Sequence, residues 1–313
     1  MSSGLEGVRA GGKAALARAL ATLEQTPDGA DSLALLAEAQ ADPRGVVVGL
    51  TGPPGVGKST LSGALVRAWR EAGRSVGVIA VDPSSRRTGG ALLGDRVRLA
   101  TDPEDPGVFV RSMAARDRLG GLADLTVAGM VLMRAVFDMV LIETVGVGQS
   151  ETDVANVADT VVLGVQPGAG DTLQFMKAGI AEVPDVVAVT KGDMGAAAEQ
   201  ARGDAAHALS VAAAEHGPAD WTPPVLLVAA RTGTGVTALT DTLDAHAHHL
   251  RHNGTLAAHR HTQAEHWLRE AVRDRFGRYG LARAGDLCLD PGECPFRRLQ
   301  AVVARLADTA TAF

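Results

Sequence analysis

Two hydrophobic rhythms divide this chain. Through residues 4–41 apolar positions recur at helical spacing in Ala- and Leu-rich sequence. A turn signal at Pro27-Asp28-Gly29 splits that stretch into two helices, the second ended by Asp42-Pro43. From Gly45 the rhythm changes to short unbroken apolar runs, at 46–50, 76–81, 108–111, 139–144, 160–165, 186–189 and 225–230. Helical stretches separate several of them, at 61–69, 122–137 and 196–214. An unbroken apolar run suits a strand covered on both faces, and alternation with helices predicts an α/β fold with a mostly parallel sheet. Beyond Thr237 the strand signals stop, and 237–277 and 296–310 read as helices. The expected division is 1–43 as an N-terminal helical extension, 44–245 as the α/β domain and 246–313 as a C-terminal helical arm.

The junction between the first strand and its helix carries Gly52-Pro53-Pro54-Gly55-Val56-Gly57-Lys58-Ser59-Thr60, the P-loop pattern G-x-x-x-x-G-K-S. Strand, glycine-rich loop and helix are what a triphosphate needs. Glycines let backbone N–H groups converge on phosphate oxygens, and the helix N-terminus adds partial positive charge. Lys58 can reach the β- and γ-phosphates and the Ser59 hydroxyl can coordinate Mg²⁺. Gly52, Gly55, Val56, Gly57 and Thr60 complete the expected cradle.

Further candidates stand where other strands end, the edge at which open α/β folds bind ligands. Asp82 closes the second strand and is placed to face phosphates or metal. Residues 83–98 are small, polar and glycine-rich, a candidate switch segment, and Asp95 within it is a metal or water contact on that reading; an ordinary surface loop is the alternative. Glu143 ends a strongly apolar strand, the Walker B form, suited to bind Mg²⁺ through water or to orient the attacking water. Gly146 and Gly148 follow, where a backbone N–H can approach the γ-phosphate. After the strand at 160–165, residues 166–177 read as a loop and helix that Asp171 caps. Thr190-Lys191-Gly192-Asp193 then matches the guanine signature N-K-x-D except at its first position. Asp193 accepts hydrogen bonds from the guanine N1–H and amine, a donor pair adenine lacks. The Lys191 stem packs on the base, and the Ala230 N–H reaches the base carbonyl.

Composition narrows this picture. Aromatic residues make up 3% of the 313, so the core must be mostly Ala, Val and Leu. The net charge is −6 without a concentrated basic tract, which disfavours nucleic-acid binding. Cys288 and Cys294 fit no zinc spacing, and a reducing cytosol is expected to leave them unpaired. Residues 1–13 lack the apolar core of a signal peptide and no apolar run spans a bilayer, so a soluble cytoplasmic protein without a membrane role is expected. Seven of the nine histidines lie between His246 and His266, amid polar helical sequence that reads as a solvated face rather than a metal set.

Together these stretches resemble the MeaB/ArgK-type P-loop GTPases, chaperones of cobalamin-dependent methylmalonyl-CoA mutase. The resemblance rests on residues 49–60, 80–95, 111–114, 143–151 and 168–177. Glu-Thr-Val-Gly-Val-Gly-Gln-Ser-Glu at 143–151 and Val-Asp-Pro-Ser-Ser at 81–85 are the most specific. It covers nearly the whole chain. It implies a SIMIBI-class GTPase domain with helices on both faces of the sheet, helical extensions, and a homodimer built on the C-terminal arm. Lys58 would bind phosphates, with Ser59, Asp82, Asp95 and Glu143 around Mg²⁺ and the water. Asp171 and Lys177 would be the charged readers of a third switch facing the mutase. GTP binding and slow, partner-stimulated hydrolysis would gate cobalamin loading and protect or reactivate the mutase; Arg86, Arg87 or a partner residue would supply an arginine. The chain departs from the family at Thr190, at Ala115 and in a shortened segment at 124–138.

Two other activities compete. A small-molecule kinase needs an acceptor pocket with a general base near the γ-phosphate. A nickel-type metallochaperone GTPase needs Cys and His near the switches, whereas this chain has them far downstream. A degenerate nucleotide scaffold is at odds with intact Lys58, Ser59, Asp82 and Glu143.

Overall fold

The structure is a computed structural model, and it describes residues 4–82, 102, 104–114, 124–144, 153–168, 184–216 and 220–310. Seven strands form one sheet: β1 (Val46–Thr51), β2 (Val76–Asp82), β3 (Val108–Ala114), β4 (Met139–Glu143), β5 (Thr160–Val165), β6 (Val186–Thr190) and β7 (Val225–Val228). Their order is β3-β2-β4-β1-β5-β6-β7, and every pairing is parallel. β1 lies between β4 and β5, so the loop that follows it emerges near the middle of the carboxyl edge.

The chain divides into two compact units. One comprises residues 46–123 and 137–253 and holds the sheet. In it α4 (Lys58–Glu71) and α7 (Val236–His252) cover one face. Leu61, Leu65 and Trp69 pack there with Val48, Leu50, Leu141, Leu239 and Leu243. The opposite face of β5 and β6, formed by Leu163, Val165, Val187 and Val189, receives Ala205 and Leu209 of α6 (Ala196–His216). Alternate residues of one strand therefore enter different cores, which is why these strands are apolar throughout. Each fully buried Leu or Val contributes about 1.5–3 kcal/mol relative to exposure.

The other unit gathers residues 1–45, 124–136 and 254–313. Its helices are α1 (Leu5–Ala10), α2 (Gly12–Gln25), α3 (Ala30–Ala41), α5 (Asp124–Val136), α8 (Thr255–Arg283) and α9 (Pro295–Ala310). The predicted first helix is thus two, α1 and α2, with Gly11 between them and Gly12, at a φ of +58°, opening α2. α5 packs on α1, α2 and α3, while α9 packs on α8 and α3. The middle of the chain therefore lends one helix to the unit built from its two ends.

Among the described residues no helix is long and apolar enough to cross a membrane. The histidine-rich stretch departs from a solvated face at one position. His246 is buried; its Nδ1 shares a 2.8 Å hydrogen bond with Thr160 Oγ1, and its ring lies 4.7 Å from that of Trp221. His248, His252, His259 and His266 are exposed.

Candidate functional site

The carboxyl edge of β1 turns directly into the glycine-rich loop. Gly52 has φ 136°, and a Cβ there would stand 2.5 Å from the Gly164 carbonyl oxygen of β5. Any side chain would push the loop off the sheet, so glycine is required both for conformation and for space. Gly55 and Gly57 also have positive φ, and Val56 between them is fully buried. α4 then begins at Lys58, so its first-turn N–H groups and dipole face this loop.

Lys58 is buried, and its ammonium donates to the carbonyls of Gly52 at 2.7 Å and Pro53 at 3.2 Å. The positive charge is thus held inside the loop curve, where the loop's own carbonyls orient it. Ser59 Oγ donates to Glu143 Oε1 at 2.5 Å, and Ser62 Oγ, one helical turn on, donates to Oε2 at 2.8 Å. Glu143 is only 5% exposed at the end of β4, in register with Leu50 of β1 and Ala80 of β2. A buried carboxylate is costly unless hydrogen-bonded, and here both of its oxygens accept hydroxyl protons. Ser62 was not legible as a site residue; the signal was its place three residues after Ser59, on the same face of a helix.

Asp82 closes β2 at this edge, two residues beyond Ala80 and opposite Ala114 of β3. Asp95, Gly146, Asp171 and Lys177 lie outside the described residues, as do Arg86, Arg87, Ala115 and Gly148.

The expected base-reading segment lies at the end of β6 and touches the loop directly. Thr190 is buried, and its hydroxyl is 2.7 Å from the Val56 carbonyl and 3.1 Å from that of Val165. One proton serves the nearer acceptor, so Thr190 ties β6 to the glycine-rich loop. Lys191 has φ 54°, the sole positive φ outside glycine among the described residues. Its ammonium donates to Gln166 Oε1 at 2.7 Å and lies 3.4 Å from the Gly55 carbonyl. A left-handed lysine costs on the order of 1–2 kcal/mol, and such strain is retained where surrounding structure imposes it. Asp193 follows in a short 3-10 turn, Gly192–Met194, and is exposed. Ala230 follows β7, in a turn where Gly233 N–H donates to the Ala229 carbonyl at 3.0 Å. Of the expected residues the structure therefore brings together the 52–60 loop, Glu143 and the 190–191 pair, with Asp193 and Ala230 on neighbouring strand ends.

Hydroxyl and carboxylate oxygens are the hard donors Mg²⁺ prefers, so Ser59 and Glu143 fit that ion chemically. Among the described residues no group of three or more His, Cys, Asp or Glu side chains stands ready to hold a metal alone. That donor set suits an ion that takes further ligands from phosphate oxygens and water.

The chain is similar to known proteins along most of its length. The family model described as methylmalonyl Co-A mutase-associated GTPase MeaB matches residues 16–282. A protein of Mycobacterium bovis named as a GTPase is 43% identical over 276 residues, covering 85% of this chain and 81% of its own. The mitochondrial methylmalonic aciduria type A homolog of Mus musculus is 38% identical over 228 residues, covering 72% of this chain and 55% of its own. Among solved structures, that of a LAO/AO transport system kinase is 27% identical with a TM-score of 0.67, covering 96% of each chain. The fold is that of the P-loop nucleoside triphosphatases.

Proposed function

This chain belongs to the MeaB family of methylmalonyl Co-A mutase-associated GTPases, and from that premise we propose that it binds and slowly hydrolyses GTP to control cofactor loading on a cobalamin-dependent acyl-CoA mutase. The observation that carries the hydrolytic part is the arrangement of Lys58, Ser59 and Glu143 at the start of α4. A buried ammonium, a hydroxyl and a buried carboxylate there serve phosphate, metal and water in turn.

In this reading Lys58 exchanges its loop carbonyls for β- and γ-phosphate oxygens. The first-turn N–H groups of α4 and the backbone of 55–57 hold the remaining phosphate charge. Ser59, with Asp82 and Glu143, would hold Mg²⁺, which neutralises charge developing on the phosphates when bound. Glu143 Oε1 orients the attacking water by accepting a hydrogen bond from it. Asp193 reads guanine, the Lys191 stem packs on the base, and Ala230 N–H meets the base carbonyl. Asp95, Gly146 and the charged pair Asp171 and Lys177 are assigned to metal, γ-phosphate and mutase. The C-terminal helices α8 and α9 serve as the homodimer arm, and the protein works in the cytoplasm. The mutase assignment draws on the family description and on the methylmalonic aciduria type A relative.

The test is release of phosphate from GTP, with ATP as control, alone and with a cobalamin-dependent acyl-CoA mutase. Slow GTP hydrolysis that the mutase accelerates, with ATP inert, is the expected result. Lys58→Ala should weaken binding of a fluorescent GTP analogue by about 10- to 100-fold, the effect of losing hydrogen bonds to a charged group. Label transferred from GTP to a small acceptor, with none free in solution, would instead favour a kinase.

A further inference from the structure

Two hydroxyls on one face of α4 converge on one carboxylate. Ser59 and Ser62 stand three residues apart, so their side chains project in nearly the same direction. Ser59 Oγ reaches Glu143 Oε1 at 2.5 Å and Ser62 Oγ reaches Oε2 at 2.8 Å. An ionised carboxylate only accepts, so both hydroxyls donate. A serine inside a helix commonly turns its hydroxyl to solvent or to the backbone carbonyl four residues back. Ser62 does not: it is fully buried, among neighbours Leu61 and Leu65 that face the sheet core, and its hydroxyl goes to Glu143. An apolar residue at this place would satisfy the packing and remove this hydrogen bond from the carboxylate.

The two serines have unequal duties under the proposed function, on which this inference rests. Ser59 must turn toward metal and phosphate when nucleotide binds. Ser62 lies one turn deeper, away from the glycine-rich loop, and has no ligand to serve. We propose that Ser62 is a positioning residue that pins Oε2 of Glu143, so that Oε1 keeps its direction toward the reacting water when Ser59 leaves it. The sequence element that makes this possible is Lys58-Ser59-Thr60-Leu61-Ser62, whose fifth position lies outside the P-loop pattern itself.

A cycle of Ser62→Ala, Glu143→Gln and the double variant tests this in the full chain. Three quantities are read: single-turnover GTP hydrolysis, affinity for a fluorescent GTP analogue, and the melting temperature of nucleotide-free protein. Ser62→Ala should slow hydrolysis by about 10- to 100-fold, the loss of one hydrogen bond to a charged group. Its analogue affinity should stay within about threefold of the parent, because Ser62 touches no part of the ligand. In the Glu143→Gln background the same change should slow hydrolysis by less than about twofold, since residues acting through one another are not additive. The melting shifts of the two single changes should likewise fail to add. Hydrolysis unchanged in Ser62→Ala, an equal loss in both backgrounds, or strictly additive melting shifts would overturn the proposal. If the parent chain hydrolyses no GTP, the proposed function fails, and the melting cycle alone still decides whether Ser62 holds Glu143.

Discussion

Thr190 shows how much one hydroxyl organises. It stands where the guanine signature carries Asn, and it spans 134 positions of sequence to meet the Val56 carbonyl. Thr190→Val keeps the shape and removes the donor. That leaves a buried carbonyl unmatched, at a cost of about 1–3 kcal/mol. Denaturant unfolding should show this loss, and affinity for a fluorescent GTP analogue should fall as the loop loosens. Equal stability and affinity would show that the contact is incidental. The departure at Thr190 was legible in the sequence; its partner was not, because local pattern carries no information about which distant carbonyl a buried hydroxyl meets. The same holds for Ser62. Lys58, Ser59 and Glu143, by contrast, are readable because their spacing from strand ends is set by the chemistry of phosphate binding.

At the scale of elements, the glycine-rich loop is held by close approach to β5 as well as by its own turns. Gly52 and Gly55 separate the two requirements. Gly52→Ala must place a Cβ 2.5 Å from the Gly164 carbonyl oxygen at φ 136°, whereas Gly55→Ala at φ 77° meets nothing within 4 Å. Backbone strain alone costs on the order of 1–2 kcal/mol. Gly55→Ala should therefore lose about that much in urea unfolding, and Gly52→Ala distinctly more, with nucleotide binding abolished. Similar losses at the two positions would mean that β5 does not constrain the loop. The strands themselves were legible to within a few residues, since burial on both faces demands unbroken apolar runs. The separation of α1 from α2 was not read, although Gly11-Gly12 is a turn signal, because apolar residues keep helical spacing on both sides of it.

Across the whole molecule, titration separates the parts that charge supports. In the helical unit the buried Arg9 side chain donates to Asp42 at 2.7 Å and to the Ala135 carbonyl of α5. The hydrogen bond from Arg9 holds the Asp42 carboxyl below its usual range. Its folded-state value is depressed, so the stability it contributes is present above about pH 4 and is lost as pH falls through the lower folded value. The melting temperature of Asp42→Asn should thus lie below that of the parent at neutral pH, and the gap should close below about pH 4. A gap independent of pH would assign the difference to packing. By itself the sequence determined the alternation of strands and helices, the phosphate loop, the acid ending β4 and the family, because period, turn residues and motif spacing are local properties. Tertiary structure alone decided that α5 joins the helices of the two chain ends, that Thr190 holds the loop, that His246 is buried and that Ser62 reaches Glu143. Those are contacts between residues far apart in the chain, and only packing in three dimensions selects them.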